Sequence, residues 1–459
     1  MLPAPMSVIR KLNPFAGLPN AKEVWAWGMF DLANQSFTLL INTLLFAVYF
    51  KEVVVNDEAQ GDGLWAILFS SSMFLVVLAS PVIGAIADAR CWRKEVLMLS
   101  GMCCIAGTCG LALVRPDMIW LAALLYIPAN FMYQIGENAL ASFLSDVATS
   151  RNVGRVSATG WTMGYVGALC LLALTFAAML LFGLKAVESW RPFFLFAGIW
   201  FLLGMIPSAL FLKEHKRPNV RLRENVVADA FVRMGETVRH AANYRQLSLF
   251  LIAFFVYAFG IQTVIAFASI LARKFGFADT QLVLFVAQIT LTAGIASAGT
   301  SFFQDRIGAK LTIQIYLVVW ILSTGSLALL SWLTSSLQIW QIMVLGLNSW
   351  PLWVIGNGIG FGLGGTGTAS RAMVARFTPR HKAAEFFGLW AVSFKLAAAI
   401  GVLSFGLVKS GLGDTWALVL LAGFFVAGFL LLLPVSETRG VRAAQRATRE
   451  YERLAREAD

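Results

Sequence analysis

Charge is scarce in this chain. Asp, Glu, Lys and Arg make up 13% of its 459 residues, about half the roughly 25% of an ordinary soluble protein. With 58% of the residues hydrophobic, a soluble globular domain is excluded, and so are a disordered chain and a nucleic-acid-binding module. Histidine and cysteine are also few. His215, His240 and His381 lie far apart, and Cys91, Cys103, Cys104, Cys109 and Cys170 contain no CxxC pair, so neither a metal site nor another cofactor is expected. Membership of the enzymes is not expected either, because no cluster of Asp, His or Arg gathers at one face as a membrane transferase would need.

What the sequence has in abundance is long apolar runs. A bilayer-spanning helix takes about 20 mostly apolar residues, and twelve such runs cover 25 to 50, 64 to 87, 96 to 114, 118 to 142, 156 to 182, 190 to 212, 247 to 271, 281 to 303, 311 to 333, 337 to 367, 385 to 409 and 414 to 434. They are continuously apolar rather than alternating, which favours helices over a barrel. The first run begins too late and carries Asp31, Asn34 and Gln35, so it reads as a span and not as a cleavable signal. The tenth, with Pro351 and a dense set of glycines, is a candidate broken helix.

The formal net charge of +11 is a topology signal. Seven basic residues, Lys51, Arg115, Lys185, Arg191, Arg273, Lys274 and Lys409, fall on one side; Lys395 falls inside a span; all the others gather on the side of the two termini. By the positive-inside rule both termini and the central loop are cytoplasmic, in a bacterial inner membrane. Contact with anionic lipid head groups follows from the same charges; no nucleic acid or other polyanion is expected as a partner, and a monomer is the expected state.

The stretch from Lys213 to Arg245 divides six spans from six. The expected organisation is a cytoplasmic segment 1–24, a six-helix bundle 25–212, a linker 213–246, a second bundle 247–434 and a cytoplasmic tail 435–459. An internal repeat supports it. Gly84-Ala-Ile-Ala-Asp88-Ala-Arg90, with Arg93 and Lys94, follows span two; Asp305-Arg306-Ile-Gly308-Ala-Lys310 follows span eight. Asp88, Arg90, Arg93, Asp305 and Arg306 are therefore candidate gating residues, with Arg371 after span ten. An acid at a helix end can hold a cation or a helix N-terminus in one state and release it in another.

The loop pattern resembles the signature of the major facilitator superfamily. Trp27-Gly-Met-Phe30-Asp31-Leu-Ala33-Asn34, Gly154-Arg155-Val156-Ser157 with Gly160-Trp161 and Gly164-Tyr165, Gly260-Ile-Gln262-Thr263, Ser370-Arg371, Arg376-Phe-Thr378-Pro379 and Glu385-Phe386-Phe387-Gly388 followed by Lys395 are together similar to its vacuole effluxer-like branch. The resemblance runs from about residue 25 to 434. It implies an all-α membrane protein with twelve transmembrane helices in two pseudo-symmetric six-helix bundles, working as a secondary transporter, with amino-acid efflux as the best-known family activity. One departure stands out: Tyr257-Ala258-Phe259-Gly260 replaces an expected Tyr-Asn-Asp-Gly.

A charge at the bilayer centre costs on the order of 2.5–3.5 kcal/mol on insertion scales, so ionisable residues within spans are functional candidates. Asp31 shares a helical face with Gln35, followed by Thr38 and Asn42, and suits a proton or a substrate amine. Glu137, flanked by Tyr133, Gln134 and Asn138, either joins it or braces Arg155. Lys395 either recognises an anionic group or makes a static ion pair with Asp31 or Glu137. The candidate coupling and binding set is thus Asp31, Asn34, Gln35, Glu137, Asn138, Gln262 and Lys395, with Trp161, Trp390, Tyr133, Tyr165 and Tyr257 as candidate walls. Gly360, Gly364 and Gly365 are candidate hinge positions, against the plainer use of tight packing. The tail, from Ser436 to Asp459, reads as a solvated helix.

The expected function is alternating-access transport of a small polar organic solute, amino-acid-like, with the proton as coupling ion. Export of a lipid-like or drug-like amphiphile is the alternative, ahead of a membrane enzyme or a non-transporting receptor.

Overall fold

The computed structural model describes residues 20–148, 153–214, 226–337 and 350–458. The spans are helical, as continuous apolar sequence in lipid requires, because a helix satisfies every backbone polar group internally. Span one is Ala21–Val55, span two Glu58–Arg90, span three Arg93–Leu113, span four Ile119–Ser142, span five Val153–Leu181 and span six Arg191–Phe211. After a linker helix, Val226–Ala242, come span seven, Arg245–Lys274, span eight, Asp279–Ile307, span nine, Ala309–Leu337, span ten, Trp350–Phe377, span eleven, Ala383–Leu412, and span twelve, Asp414–Leu432. A tail helix, Glu437–Ala458, closes the chain.

Eleven of these helices are long and apolar enough to cross a membrane. Span ten is diluted by glycine and carries Arg371 and Arg376, but its 28 residues reach about 40 Å at 1.5 Å per residue, enough to cross.

Span one changes its winding on the way. Phe37–Leu44 and Phe50–Val55 form π-helical turns, which widen the helix and shift the register of the polar face that starts at Asp31. The upper part of that face meets span four: Thr38 donates to the Tyr133 hydroxyl at 2.6 Å. Asn42 accepts from Tyr126 at 2.8 Å and donates to Asn130 at 3.1 Å, and Asn130 donates to Ser72 of span two at 2.7 Å. These buried polar groups satisfy one another, which is the condition for keeping them out of water.

The boundary expected for span ten needs correction. Hydropathy placed it at 337–367; the helix occupies Trp350–Phe377, and residues 338–349 lie outside the described residues. The polar stretch from Thr368 to Arg376 was mistaken for a loop because its side chains turn toward other helices rather than lipid. The described part of span ten is one unbroken helix. Its glycines let it approach its neighbours: a Cβ at Gly360 would sit 2.7 Å from the Ile289 carbonyl oxygen, one at Gly364 1.9 Å from that of Ala293, and one at Gly365 2.1 Å from the Tyr316 ring. Because backbone is the obstacle at Gly364, Gly364→Ala is expected to cost about 1–3 kcal/mol, read as a lower thermal midpoint in detergent; an unchanged midpoint would refute the contact.

The tail is also not merely solvated. Gly440 packs under the Phe377 ring, Ala444 is buried, and Tyr451 stacks on His381 with ring centroids 4.4 Å apart. The outer face of the helix carries Arg439, Arg442, Arg446, Arg449 and Arg453, all exposed.

Candidate transport site

The ionisable residues of the spans converge between the two sets of six helices. From span one, Asp31 and Gln35 face Gly164 of span five: a Cβ at Gly164 would lie 3.2 Å from Asp31 Oδ2 and 3.7 Å from Gln35 Nε2. Asn34, one residue from that face and buried, donates to Glu137 Oε1 of span four and accepts from Gln35 Nε2 at 3.3 Å. Opposite them, Lys395 of span eleven donates to Gln134 of span four, at 2.6 Å to its side-chain oxygen and 3.3 Å to its carbonyl. Lys395 is 9% exposed and lies within electrostatic reach of Glu137, one turn further along span four.

Arg371 completes the group, and the sequence reading misplaced it. It lies within span ten and not in the loop after it, within electrostatic reach of Asp31 and Tyr165. Its guanidinium stands 4.8 Å from the Trp161 ring and 6.0 Å from the Trp390 ring, a geometry in which aromatic faces stabilise a cation. Arg371 is exposed and Trp161 is 48% exposed, so the group forms an open cleft and not a sealed core. The arrangement is two carboxylates from spans one and four facing two cations from spans ten and eleven. Such a cleft can hold a solute with charges of both signs.

The remaining candidates spread out. Asn138 and Gln262 are half-buried. Tyr133 is buried and stacks on Phe37 at 5.1 Å; Tyr165 lies against Gly294 of span eight; Tyr257 is buried with its hydroxyl 2.7 Å from Ser370 Oγ. Phe259, where the resemblance led to an acid, packs on Phe255 and Phe424 at 4.8 and 5.3 Å. The Arg155 side chain lies outside the described residues. Among the described residues no group of His, Cys, Asp and Glu is placed to hold a metal.

The repeated loop residues build two matching ties at the linker end. In the first, buried Arg93 reaches Asp146 at 2.7 Å, Glu214 at 3.1 Å and Asp88 at 3.9 Å, while Glu214 accepts the Lys94 backbone N–H at 3.0 Å and Lys94 Nζ caps span six at the Ala209 carbonyl, 2.9 Å away. In the second, Arg376 reaches Asp305 at 2.6 Å and Glu437 at 2.5 Å. Glu437 accepts the Lys310 N–H at 3.0 Å, and Lys310 Nζ caps span twelve at Leu433, 2.8 Å away. An acid on the N-terminus of spans three and nine suits the helix dipole. Arg90 instead lies exposed over the Trp92 ring at 4.7 Å, and Arg306 is exposed. Sequence reading missed Asp146, Glu214 and Glu437 because each is distant in the chain from the loop it serves; the signal was an acid a few residues beyond spans six and twelve.

Glu437 lies outside the spans. Burial pushes its carboxyl up, but the Lys310 and Ala309 N–H groups and the Arg376 guanidinium outweigh it and hold the carboxyl below the usual glutamate range. A depressed folded value means stability present above the unfolded value of about 4.3 and lost as pH falls through the folded one. The tail helix is therefore expected to loosen only below about pH 4.5, and Glu437→Gln to loosen it at neutral pH. Protease cleavage between Glu437 and Arg456 is the measurement; equal resistance of variant and wild type at pH 7 would contradict this.

A sequence profile of the family described as vacuole effluxer Atg22 like matches residues 53–153 and 144–445. The chain is 25% identical over 438 residues to the uncharacterized MFS-type transporter YxiO of Bacillus subtilis (strain 168), covering 92% of this chain and 97% of that one. It is 24% identical over 402 residues to autophagy-related protein 22 of Kluyveromyces lactis, covering 82% and 80%. Its fold matches the crystal structure of the nucleoside transporter NupG with a TM-score of 0.66 at 14% identity, over 90% of this chain and 98% of that one. Twelve helices in the major facilitator arrangement, matched motifs at both loops and a profile that spans most of the chain together identify it as a multi-pass membrane transporter of the major facilitator superfamily, in the vacuole effluxer Atg22-like family.

Proposed function

We propose that this protein moves a small zwitterionic solute, amino-acid-like in its charge pattern, across a bacterial inner membrane by alternating access, coupled to protons. The observation that carries this reading is the convergence of Asp31, Glu137, Arg371 and Lys395 from four spans, held beside Gly164, Asn34, Trp161 and Gln134 respectively. A solute ammonium suits the carboxylates of spans one and four; a solute carboxylate suits the guanidinium and ammonium of spans ten and eleven, where Arg371 can engage it bidentately. Trp161 and Trp390, beside Arg371, offer apolar surface to the rest of the molecule.

Asp31 and Glu137 are also the groups suited to carry the coupling proton. One charge moved across the membrane is worth about 2.3 kcal/mol per 100 mV, enough for roughly fiftyfold accumulation. In this account segments 25–212 and 247–434 rock as two bundles within a monomer, and the basic end, with both termini and the linker, faces the cytoplasm. The concentration of Lys and Arg at that end supports the orientation, and the near end-to-end match with the Bacillus relative supports the location.

The test is transport by proteoliposomes offered a pool of amino acids, peptides and sugars, with and without an imposed proton gradient. Gradient-dependent movement of the amino-acid fraction is expected. Movement of lipids or hydrophobic drugs in its place would establish the amphiphile exporter instead.

A further inference from the structure

At the end of the helices away from the linker a second group of charges is buried, which the candidate site does not use. Lys51 lies in the last turn of span one, Asp62 in the first turns of span two, Lys409 near the end of span eleven and Asp414 at the start of span twelve. Lys51, Asp62 and Lys409 are 6%, 3% and 6% exposed. Asp62 Oδ2 accepts from Lys51 Nζ at 3.1 Å and from Lys409 Nζ. Lys409 Nζ also reaches Asp414 at 2.7 Å, and Lys274 of span seven lies 3.4 Å from Asp414. A second pair lies at the same end: Arg273 of span seven reaches Glu52 of span one at 3.1 Å and Asp279 of span eight at 2.5 Å.

The helices meet closely around these charges. A Cβ at Gly406 of span eleven would come 2.2 Å from the Ala66 Cβ of span two and 3.1 Å from the Asp62 carbonyl oxygen. The buried Trp65 indole crosses from span two to donate to the Ala266 carbonyl of span seven at 3.0 Å.

We propose that these charges form the outer gate of the transport cycle, with Lys409–Asp62 its buried latch and Arg273–Glu52 its outer one. The proposal rests on the alternating-access reading of the fold, but its test uses no substrate. If the first six spans part from the last six at this end, two of the ion pairs cross the parting surface, Lys409–Asp62 and Arg273–Glu52. Each cation of the last six spans keeps a carboxylate of its own set: Asp414 for Lys409, Asp279 for Arg273. Asp62 keeps Lys51, and Glu52, already 30% exposed on its side chain, passes to water. Opening therefore strands no buried charge, the condition that makes breaking an ion pair expensive. An apolar seal of equal size would close as well but expose hydrocarbon each time it opened. Paired charges hydrate readily, so the gate closes firmly and still reopens.

The test is the distance between spin labels on Gln60→Cys and Leu412→Cys, both exposed positions at this end, in lipid nanodiscs with the five native cysteines replaced by serine. The wild-type background is expected to show a dominant short distance with a minor long one. Lys409→Met leaves Asp62 with Lys51 and Asp414 with Lys274, so the protein folds; its long-distance population is expected to rise about fivefold. Lys409→Arg restores the wild-type distribution. The apolar triple replacement Lys51→Met, Asp62→Leu and Lys409→Met is expected to do the opposite and reduce the long-distance population below wild type. An unchanged distribution in Lys409→Met, or a triple variant that opens as readily as Lys409→Met, overturns the gate. If the gate responds as expected while Asp31→Asn transports normally, the gate stands and the candidate site falls.

Discussion

Asp31→Asn and Arg371→Ala are each expected to reduce transport about a hundredfold while leaving expression and membrane insertion intact. Each removes one side of the charge pairing that the cleft offers to a solute, and a charge-assisted hydrogen bond in a site of low dielectric is worth a few kcal/mol, where every 1.4 kcal/mol is tenfold. The loss is local because, among the described residues, neither side chain is locked in an ion pair: Asp31 faces Gly164 and the cleft, and Arg371 lies over Trp161. Arg371→Lys, which keeps the charge and loses the fork, is expected to fall between. The measurement is initial uptake into proteoliposomes, normalised to reconstituted protein. Full activity in Asp31→Asn or in Arg371→Ala would remove that residue from the site.

The second large effect is on stability. Arg93→Ala is expected to destabilise the fold by about 1–3 kcal/mol, because it removes the buried guanidinium that Asp146 and Glu214 share, while Glu214 keeps the Lys94 N–H. Arg93 is 3% exposed, and Asp146 keeps only 5% of its side chain exposed. The change in the second tie, Arg376→Ala, is expected to cost less, about 1 kcal/mol, since Asp305 is 79% exposed on its side chain and Glu437, 18% exposed, keeps the Ala309 and Lys310 N–H groups. Thermal midpoints of the two variants in detergent check the asymmetry; equal shifts would mean that the two ties are energetically alike in spite of their different burial.

Much of the fold was legible in the sequence. Eleven of the twelve runs found their helices within a few residues, because apolar length is what a bilayer selects. The half-chain repeat around Asp88 and Asp305 was legible for a similar reason, since each half must make the same tight turn with the same charges. Span ten was not, and its failure shows where hydropathy stops working. Gly356, Gly360 and Gly364 face span eight and Ser370 and Arg371 face other helices or the cleft, so the residues that make span ten fit its neighbours are the ones that lower its hydropathy. Misplacing that helix by about ten residues put Arg371 in a loop and left the cleft with one cation instead of two.

Within the site, Asp31, Glu137 and Lys395 were legible as single costly charges, but their partners were not. Gln134 as the acceptor for Lys395, and Asn34 as the donor to Glu137, join residues more than a hundred positions apart, and nothing in local spacing encodes that. The buried charges at the end away from the linker escaped notice for a different reason. Lys51 and Lys409 lie at span ends, where a basic residue ordinarily reaches water, and only the packing of span two against span eleven removes them from it.

The most direct test of the transport site compares three forms of one amino acid in proteoliposomes: the free zwitterion, its N-acetyl derivative, which keeps only the carboxylate, and its methyl ester, which keeps only the ammonium. The amino acid is the one that the pooled scan identifies. The account predicts that the zwitterion alone moves at a substantial rate, that an imposed proton gradient accelerates it, and that Lys395→Ala abolishes the movement. Equal transport of the N-acetyl derivative or the ester, or a zwitterion rate indifferent to Lys395→Ala, would contradict it.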